Sequence, residues 1–245
     1  MNVVIPMAGA GKRFSDEGFS TPKPLIKINS DHMICRVIES LQVKAKYTFI
    51  VRDCPELDQL KTALFNLKNK VPHVQEINIV EIDKLTDGPA CTALLASDYI
   101  NNDEELLITN CDQIMWWNGA EFQNYCSNSS YDGMLVTYYA NTSKNSYAKI
   151  DKKGFVTEVR EKEIISDISL NGIHFWKKGK YFVDSATKMI DNNERSINGE
   201  FYIGPSFNSM IEKGLKVGIY HIPNYQHHAV GTPDDLREYI RNESK

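Results

Sequence analysis

The sequence lacks the basic excess, the long apolar run and the paired cysteines that mark several classes of protein. Its net charge is −4, whereas a broad nucleic-acid surface normally carries an excess of Lys and Arg. No window approaches the roughly 18 consecutive apolar residues of a membrane-spanning helix. The five cysteines are scattered and show no C-x-x-C spacing, which argues against a disulfide framework or a zinc site. The sequence therefore predicts a cytoplasmic protein that binds neither nucleic acid nor membrane.

The chain also lacks a Pro- or Ser-rich linker, an internal repeat and a low-complexity tract. Strand-like runs alternate with amphipathic helical patterns in residues 1–130, which predicts βαβ units. Residues 131–245 begin with several short strands and continue into helices. We therefore expect one α/β domain with two lobes, built on a Rossmann-like, mainly parallel mixed sheet with helices on both faces.

A glycine-rich loop follows the first predicted strand, and basic residues surround it. Gly9 and Gly11 allow a sharp turn that brings bare N–H groups against a ligand. Lys12 and Arg13 come next, and Lys23 follows between two prolines. This combination suits a triphosphate, because amides can cradle it while cations neutralise the charge that builds as pyrophosphate leaves. The alternative is a strand-to-helix turn with solvated basic side chains.

Two further segments lie at predicted carboxyl ends of strands, where ligands collect in open parallel sheets. Asp112 follows the strand at residues 106–109, and its carboxylate suits Mg²⁺ held jointly with phosphate oxygens. The alternative for Asp112 is a cap on the next turn. In the loop at residues 85–90, Gly88 permits close approach to a flat base and Asp87 could accept its hydrogen bond; the alternative for Asp87 is a helix N-cap.

Taken in order, these motifs resemble the nucleotidylyltransferases that activate sugar 1-phosphates and related phosphates, whose fold is shared with GT-A glycosyltransferases. The likeness covers nearly the whole chain and is nearest to the subgroup of capsule-polysaccharide clusters, with phosphocholine and phosphoglutamine cytidylyltransferases as related possibilities. The later matching segments are Tyr147-Ala148-Lys149, Glu161-Lys162, Leu170-Asn171-Gly172, Asn198-Gly199-Glu200-Phe201-Tyr202 and Val230-Gly231-Thr232-Pro233-Asp234-Asp235-Leu236.

The resemblance implies a role for each matching position. Residues 1–130 would form a nucleotide-binding lobe and residues 131–245 an acceptor-binding lobe. Arg13, Lys23 and Asp112 would be the catalytic residues, with Asp112 binding the Mg²⁺ cofactor. The nucleotide would be held by Ala8, Gly9, Ala10, Gly11, Lys12, Asp87 and Gly88. The acceptor would be held by Lys149, Glu161, Lys162, Asn171 and Glu200, each of which could instead be an ordinary polar residue of the surface or a strand end.

One position departs from the family pattern. Many members carry a second Mg²⁺ aspartate just before the late Gly-Thr pair, where this chain has Ala229 and Val230. The neighbouring His227 and His228 offer imidazoles, which match Mg²⁺ poorly because that ion prefers oxygen. We take His228 as a candidate metal ligand. The alternatives are that the metal is coordinated through water, that a histidine contacts substrate phosphate instead, or that His227 and His228 are ordinary loop residues.

The resulting hypothesis is transfer of a nucleotidyl group from a nucleoside triphosphate to a phosphorylated small molecule, with release of pyrophosphate. CTP is the preferred donor, and the acceptor is a sugar 1-phosphate or a non-sugar phosphate such as phosphoglutamine, in the synthesis of capsule or surface polysaccharide precursors. The rivals are a GT-A glycosyltransferase using a nucleotide-sugar donor and an inactive nucleotide-binding module. The exposed late helices are compatible with a homodimer.

Overall fold

The computed structural model describes residues 1–243, and its centre is a sheet that runs through both halves of the chain. Four parallel strands form one side, in the order β6 (Leu106–Thr109), β1 (Asn2–Pro6), β4 (Ala45–Arg52) and β5 (Val74–Ile82). On the other side of β6, β11 (Ile168–Trp176) pairs with it antiparallel and continues the sheet. The predicted α/β fold with a mixed, Rossmann-like sheet is confirmed.

The remaining strands extend the sheet beyond β11 or form small ribbons beside it. β8 (Gly133–Tyr139) pairs antiparallel with β11 and parallel with β12 (Val217–His221). β9 (Ser146–Ile150) and β10 (Val156–Glu161) form an antiparallel pair at the sheet edge. Two short ribbons join β2 (Lys27–Ile28) to β3 (Asp31–His32) and β7 (Gln113–Met115) to β13 (His227–Ala229).

Alternating side chains of the central strands pack into two hydrophobic cores, one on each face of the sheet. In β1, Val3 and Ile5 pack into one core and Val4 into the other, as the two-residue period of a strand requires. The helices that cover the first face are α2 (Met33–Leu41), α3 (Leu57–Lys70) and α6 (Gly119–Asn128). The second face is covered by α4 (Pro89–Leu94), α5 (Ser97–Ile100), α7 (Gly179–Asp191) and α8 (Phe207–Glu212).

A third, smaller core supports the site from outside the sheet. It joins α1 (Lys12–Ser15) to α9 (Pro233–Glu243) through Phe14, Val230 and Leu236. The last helix of the chain thereby returns to the loop that follows the first strand. Within the described residues, every helix is too short or too polar to cross a membrane.

Candidate active site

The loop after β1 presents unused backbone donors. Gly11 adopts the left-handed backbone conformation, with φ 65°. It lies close to Lys23: a Cβ added to Gly11 would be 3.7 Å from the Cβ of Lys23. Within residues 1–243, the backbone N–H groups of Ala8, Gly9 and Ala10 have no hydrogen-bond acceptor. Consecutive free N–H groups in such a turn form a concave anion site. The structure therefore gives the loop the donors that the glycine pattern predicts.

Lys23 and Asp112 form an ion pair between this loop and the end of β6. Burial lowers the pKa of Lys23, but the charge and hydrogen bond of Asp112 outweigh it and hold that pKa above its ordinary value. Burial likewise raises the pKa of Asp112, and Lys23, with Arg13 beyond it, outweighs burial and lowers that pKa. Both groups are therefore charged at neutral pH, although most of each side chain is shielded from solvent.

The β7–β13 ribbon holds Asp112 in place. The backbone N–H of Val230 donates to the Asp112 carbonyl over 2.8 Å. A Cβ at Gly231 would lie 2.6 Å from Asp112 Oδ2, so only glycine fits beside the carboxylate. The late Val-Gly-Thr segment thus supports the Asp112 carboxylate by close backbone approach, without adding a carboxylate at residues 229 or 230.

A cleft of about 820 Å³ opens beside Asp112, between the two halves of the sheet. Its size falls in the usual range of small-molecule sites. Among the residues predicted from the sequence it is lined by Arg13, Asp112, Glu161, Lys162 and Asn171. The structure therefore brings two predicted catalytic residues and three predicted acceptor-binding residues to one cavity.

Glu161 and His227 are titratable residues of this cleft whose pKa values are shifted by burial. Burial raises the pKa of Glu161, although Ser146 donates a hydrogen bond to its carboxylate. Burial lowers the pKa of His227 to about 4, so its imidazole is neutral at pH 7. The ring of His227 lies edge-on to Tyr138, with 4.5 Å between the ring centroids. The neutral imidazole of His227 can therefore form hydrogen bonds without adding charge to the cleft.

A chain of polar contacts connects Lys162 to Glu200. Lys162 Nζ donates to the Tyr202 hydroxyl over 2.8 Å, and that hydroxyl donates to Glu200 Oε2 over 2.7 Å. Lys162 adopts φ 59°, in the left-handed region that non-glycine residues seldom occupy. Lys162 and Tyr202 line the cleft, whereas Glu200 is exposed and is not part of the lining. Glu200 can therefore position Tyr202 and Lys162 without forming part of the cleft wall.

Several predicted binding residues lie outside the cleft lining, among them Lys149, Asp87 and Gly88. Lys149 stands opposite Glu158 in the β9–β10 pair and bonds to it over 3.1 Å, because the strand alternation turns its side chain to solvent. Asp87 pairs with Arg195 over 2.8 Å. Gly88, with φ 134°, packs so closely on Phe201 that a Cβ would lie 2.5 Å from its carbonyl oxygen. Gly88 is the N-cap of α4, so Asp87 does not act as that cap.

The tentative metal ligand His228 also lies away from the cleft. In β13 it alternates with His227, and its ring packs 4.0 Å from Trp116 and 5.7 Å from Tyr239 between centroids. His227 takes the place that faces the cavity. Within residues 1–243, no group of three His, Cys, Asp or Glu side chains is arranged to hold a metal. Mg²⁺ commonly takes one or two carboxylates with substrate phosphates and water, so the single Asp112 carboxylate fits that requirement.

The whole chain is similar to solved nucleotidyltransferases. A nucleoside-diphosphate-sugar pyrophosphorylase from Vibrio cholerae RC9 gives a TM-score of 0.81 at 22% identity, over 98% of this chain and 99% of that chain. The inositol-1-phosphate CTP transferase from T. maritima gives 0.75 at 17% identity, over 100% and 94%. A UDP-glucose pyrophosphorylase complexed with UDP-glucose gives 0.78 at 14% identity, over 99% and 98%. This chain has the fold of the sugar-phosphate nucleotidyltransferases.

The nucleotidyltransferase fold confirms, at the level of structure, the resemblance carried by the sequence motifs. No protein-family model matches the chain, and no curated protein is a significant match. The backbone arrangement is thus retained at low sequence identity. At such identity, the substrate of one protein does not indicate the substrate of another.

Within this nucleotidyltransferase fold, the cleft also contains residues that the sequence motifs did not indicate. Tyr138, Asn145 and Ser146 line it, from strands or loops whose local pattern is unremarkable. Asp235 lines it too; the matching segment at residues 230–236 includes Asp235 but assigned it no role. The Thr232 hydroxyl donates to the Asp235 carboxylate over 2.7 Å at the start of α9, as the [ST]-x-x-[DE] spacing predicts.

Proposed function

We propose that this protein transfers a nucleotidyl group from a nucleoside triphosphate to a phosphorylated small molecule and releases pyrophosphate. The observation that carries the proposal is the position of the Lys23–Asp112 pair, between the free amides of the β1 loop and the large polar cleft. A triphosphate on the loop would place its α-phosphate at this pair, with the second substrate beside it. The shared fold supports the same reaction class.

The chemistry requires positioning and charge neutralisation. An acceptor phosphate oxygen is already anionic, so it can attack the α-phosphorus in line without a general base. Lys23 and Arg13 would neutralise the charge that develops as the bond to the β-phosphate breaks. Asp112 would hold a Mg²⁺ ion, whose charge would further neutralise the triphosphate. Lys23, which pairs with Asp112 here, would turn its ammonium group to the phosphates when a triphosphate binds.

For the acceptor, the cleft supports a phosphate ester with a polar body. Lys162 and Arg13 provide cations, while Glu161, Asn171 and Tyr138 provide groups that bond to hydroxyls or amines. A sugar 1-phosphate and a non-sugar phosphate such as phosphoglutamine both match this chemistry. We take cytidine as the first base to test, and synthesis of capsule or surface polysaccharide precursors as the setting, on the resemblance of the motifs to that subgroup.

The test is a pyrophosphate-release screen of the four common nucleoside triphosphates against hexose and heptose 1-phosphates, phosphocholine and phosphoglutamine. We expect release that requires both substrates and Mg²⁺ and that is lost in Lys23→Ala. Release of a nucleoside diphosphate from a nucleotide sugar would indicate a GT-A glycosyltransferase instead. Nucleotide binding without turnover across the panel would indicate an inactive nucleotide-binding module.

A further inference from the structure

Residues 195–202 contact both a loop expected to meet the nucleotide and a cation expected to meet the acceptor. We call them the linking segment. The backbone N–H of Phe201 donates to the Asp87 carbonyl over 2.8 Å, and the N–H of Ala90 donates to the Phe201 carbonyl over 3.0 Å. Phe201 is thereby bound on both sides to the loop at residues 85–90, for which the nucleotide base is the expected ligand.

The next residue, Tyr202, contacts the cation expected to hold the acceptor. Its hydroxyl accepts hydrogen bonds from Lys162 Nζ and Asn198 Nδ2, each over 2.8 Å, and donates to Glu200 Oε2 over 2.7 Å. A hydroxyl has one donor and two acceptor positions, so these contacts hold the tyrosine in one orientation. The backbone of Lys162 is fixed separately, because its N–H donates to the Asn145 carbonyl over 2.9 Å. Tyr202 therefore sets where the Lys162 ammonium group lies.

Arg195 joins these contacts from outside the cleft. Its Nη2 pairs with Asp87 and its Nη1 donates to the Gly199 carbonyl, each over 2.8 Å. Its guanidinium carbon lies 4.2 Å from the centroid of the Phe201 ring. A guanidinium has five N–H donors on a flat frame, so it can bind two oxygens and cover a ring at the same time. The described residues that line the cleft include Tyr202 but not Arg195.

The linking segment depends on such polar contacts because little of it is buried. Residues 197–200 are exposed, and the side chain of Ile197 is 78% exposed. The turn within residues 196–200 has two backbone hydrogen bonds of its own. An exposed ion pair adds little to the free energy of unfolding. The contacts of Arg195 therefore fix the local shape of the segment more than the stability of the fold.

We infer that Arg195 is a positioning residue that couples the loop at residues 85–90 to Lys162. The coupling runs through Phe201 and Tyr202, which are consecutive in the chain, so movement of one carries the other. Filling of the base site and placement of the acceptor phosphate then depend on each other. The path of contacts rests on the structure alone, whereas the two ligands at its ends rest on the proposed function.

The first test measures Lys162 without any substrate. Acetylation by acetic anhydride, quantified at each lysine by mass spectrometry, reports how firmly each ammonium group is held. We expect Arg195→Met to raise the acetylation rate of Lys162 about threefold, the scale of one lost hydrogen bond, and to leave the exposed Lys149 unchanged. Arg195→Lys should fall between Met and wild type, because it keeps the charge and loses the fork. Arg237→Met, at another exposed arginine paired with carboxylates, is the matched control and should leave Lys162 unchanged.

The second test is kinetic and uses the triphosphate and acceptor that release pyrophosphate in the screen above. Arg195→Met should raise the acceptor KM about threefold and leave kcat unchanged, because the ammonium group is misplaced and not removed. Tyr202→Phe breaks the same path at a later point. The double variant should therefore show about the same threefold change, whereas independent effects would multiply to about ninefold.

Equal acetylation of Lys162 in wild type and Arg195→Met would overturn the inference, as would independent effects in the double variant. An equal rise at every lysine would also overturn it, since that would show general loosening of the fold. Thermal unfolding of each variant checks folding, and Arg195→Lys carries the test if the Met variant does not fold. A selective change at Lys162 in a protein without any turnover would contradict the proposed function and leave the coupling path standing. Turnover with unchanged acetylation of Lys162 in Arg195→Met would do the reverse.

Discussion

The cleft and the glycine-rich loop after β1 meet at the Lys23–Asp112 pair, and they differ in the charges they present. The cleft, at about 820 Å³, is lined by both carboxylates and cations, whereas the loop presents free backbone N–H groups beside Lys23. A cavity with both signs can select among polar bodies that carry hydroxyl, amine and phosphate groups. A loop that presents only donors and a cation selects for anionic charge. Under the proposed function, this difference would separate the acceptor from the triphosphate.

The largest expected effect comes from replacing Lys23, which lies between the glycine-rich loop and the cleft. Lys23→Ala should reduce turnover by about a hundredfold to a thousandfold, because it removes the cation placed at the reacting phosphate. Pyrophosphate release measures it, and the thermal midpoint shows that the fold persists. Lys27→Ala, an exposed lysine nearby in the chain, is the control. Near-normal turnover in Lys23→Ala would remove Lys23 from the mechanism.

Replacing Asp112, the carboxylate that pairs with Lys23, should reduce turnover nearly as much as replacing Lys23. Asp112→Asn should lower turnover by about a hundredfold and raise the Mg²⁺ concentration needed for half-maximal rate, since an amide binds the ion more weakly than a carboxylate. Initial rates across a Mg²⁺ titration give both quantities. The exposed Asp184→Asn is the control. An unchanged Mg²⁺ dependence would show that Asp112 serves only to hold Lys23.

Glu161 tests whether the carboxylates of the cleft are there for the acceptor. Glu161→Gln should raise KM for the acceptor about tenfold and leave KM for the triphosphate unchanged, because only the cleft loses a charged hydrogen-bond partner. The control is Glu163→Gln, at an exposed neighbour. An equal change in the KM for the triphosphate would show that Glu161 does not act on the acceptor alone.

The same variant should change stability in a pH-dependent way. Burial raises the pKa of Glu161, so its contribution to stability is fully present below its pKa in the unfolded chain, about 4.3, and is lost as the pH rises through its higher folded pKa. Glu161→Gln escapes that loss, so its thermal midpoint should exceed that of wild type at pH 8, and the gap should close as the pH falls below the pKa of the unfolded chain. A gap that widens on acidification would contradict the raised pKa.

The smallest effect is expected from Tyr202, a residue of the cleft wall. Tyr202→Phe removes the hydroxyl that connects Lys162 to Glu200 and should raise the acceptor KM about threefold, the scale of one or two neutral hydrogen bonds. Steady-state kinetics with the acceptor varied measure it, and the part-exposed Tyr99→Phe is the control. If kcat fell and the KM did not change, the contact would serve chemistry rather than binding.

The loop side of the molecule is the better predicted side, for a local reason. The Gly-rich turn, Arg13 and Lys23 lie within a short stretch of chain, and each follows from backbone geometry and charge near the end of one strand. The ion pair between Lys23 and Asp112 could not be predicted in the same way, because it joins residues 89 positions apart in the chain.

The cleft side was predicted unevenly, because strand alternation decides which residues of a motif face it. In β9 the resemblance indicated Lys149, yet Ser146 lines the cavity and Lys149 pairs outward with Glu158. In β13 the tentative ligand was His228, yet His227 faces the cavity. A shift of one residue reverses the face of a strand, so residue type alone cannot choose between neighbours.

By itself, the sequence determined the α/β class, the glycine-rich loop with Lys23 and the carboxylate of Asp112, since these depend on local periodicity, glycine and charge. Only the tertiary structure decided that Lys23 pairs with Asp112 and which polar residues face the cleft. Those facts depend on contacts between residues far apart in the chain. Burial and pairing, which set charge states and free donors, exist only after the sheet has formed.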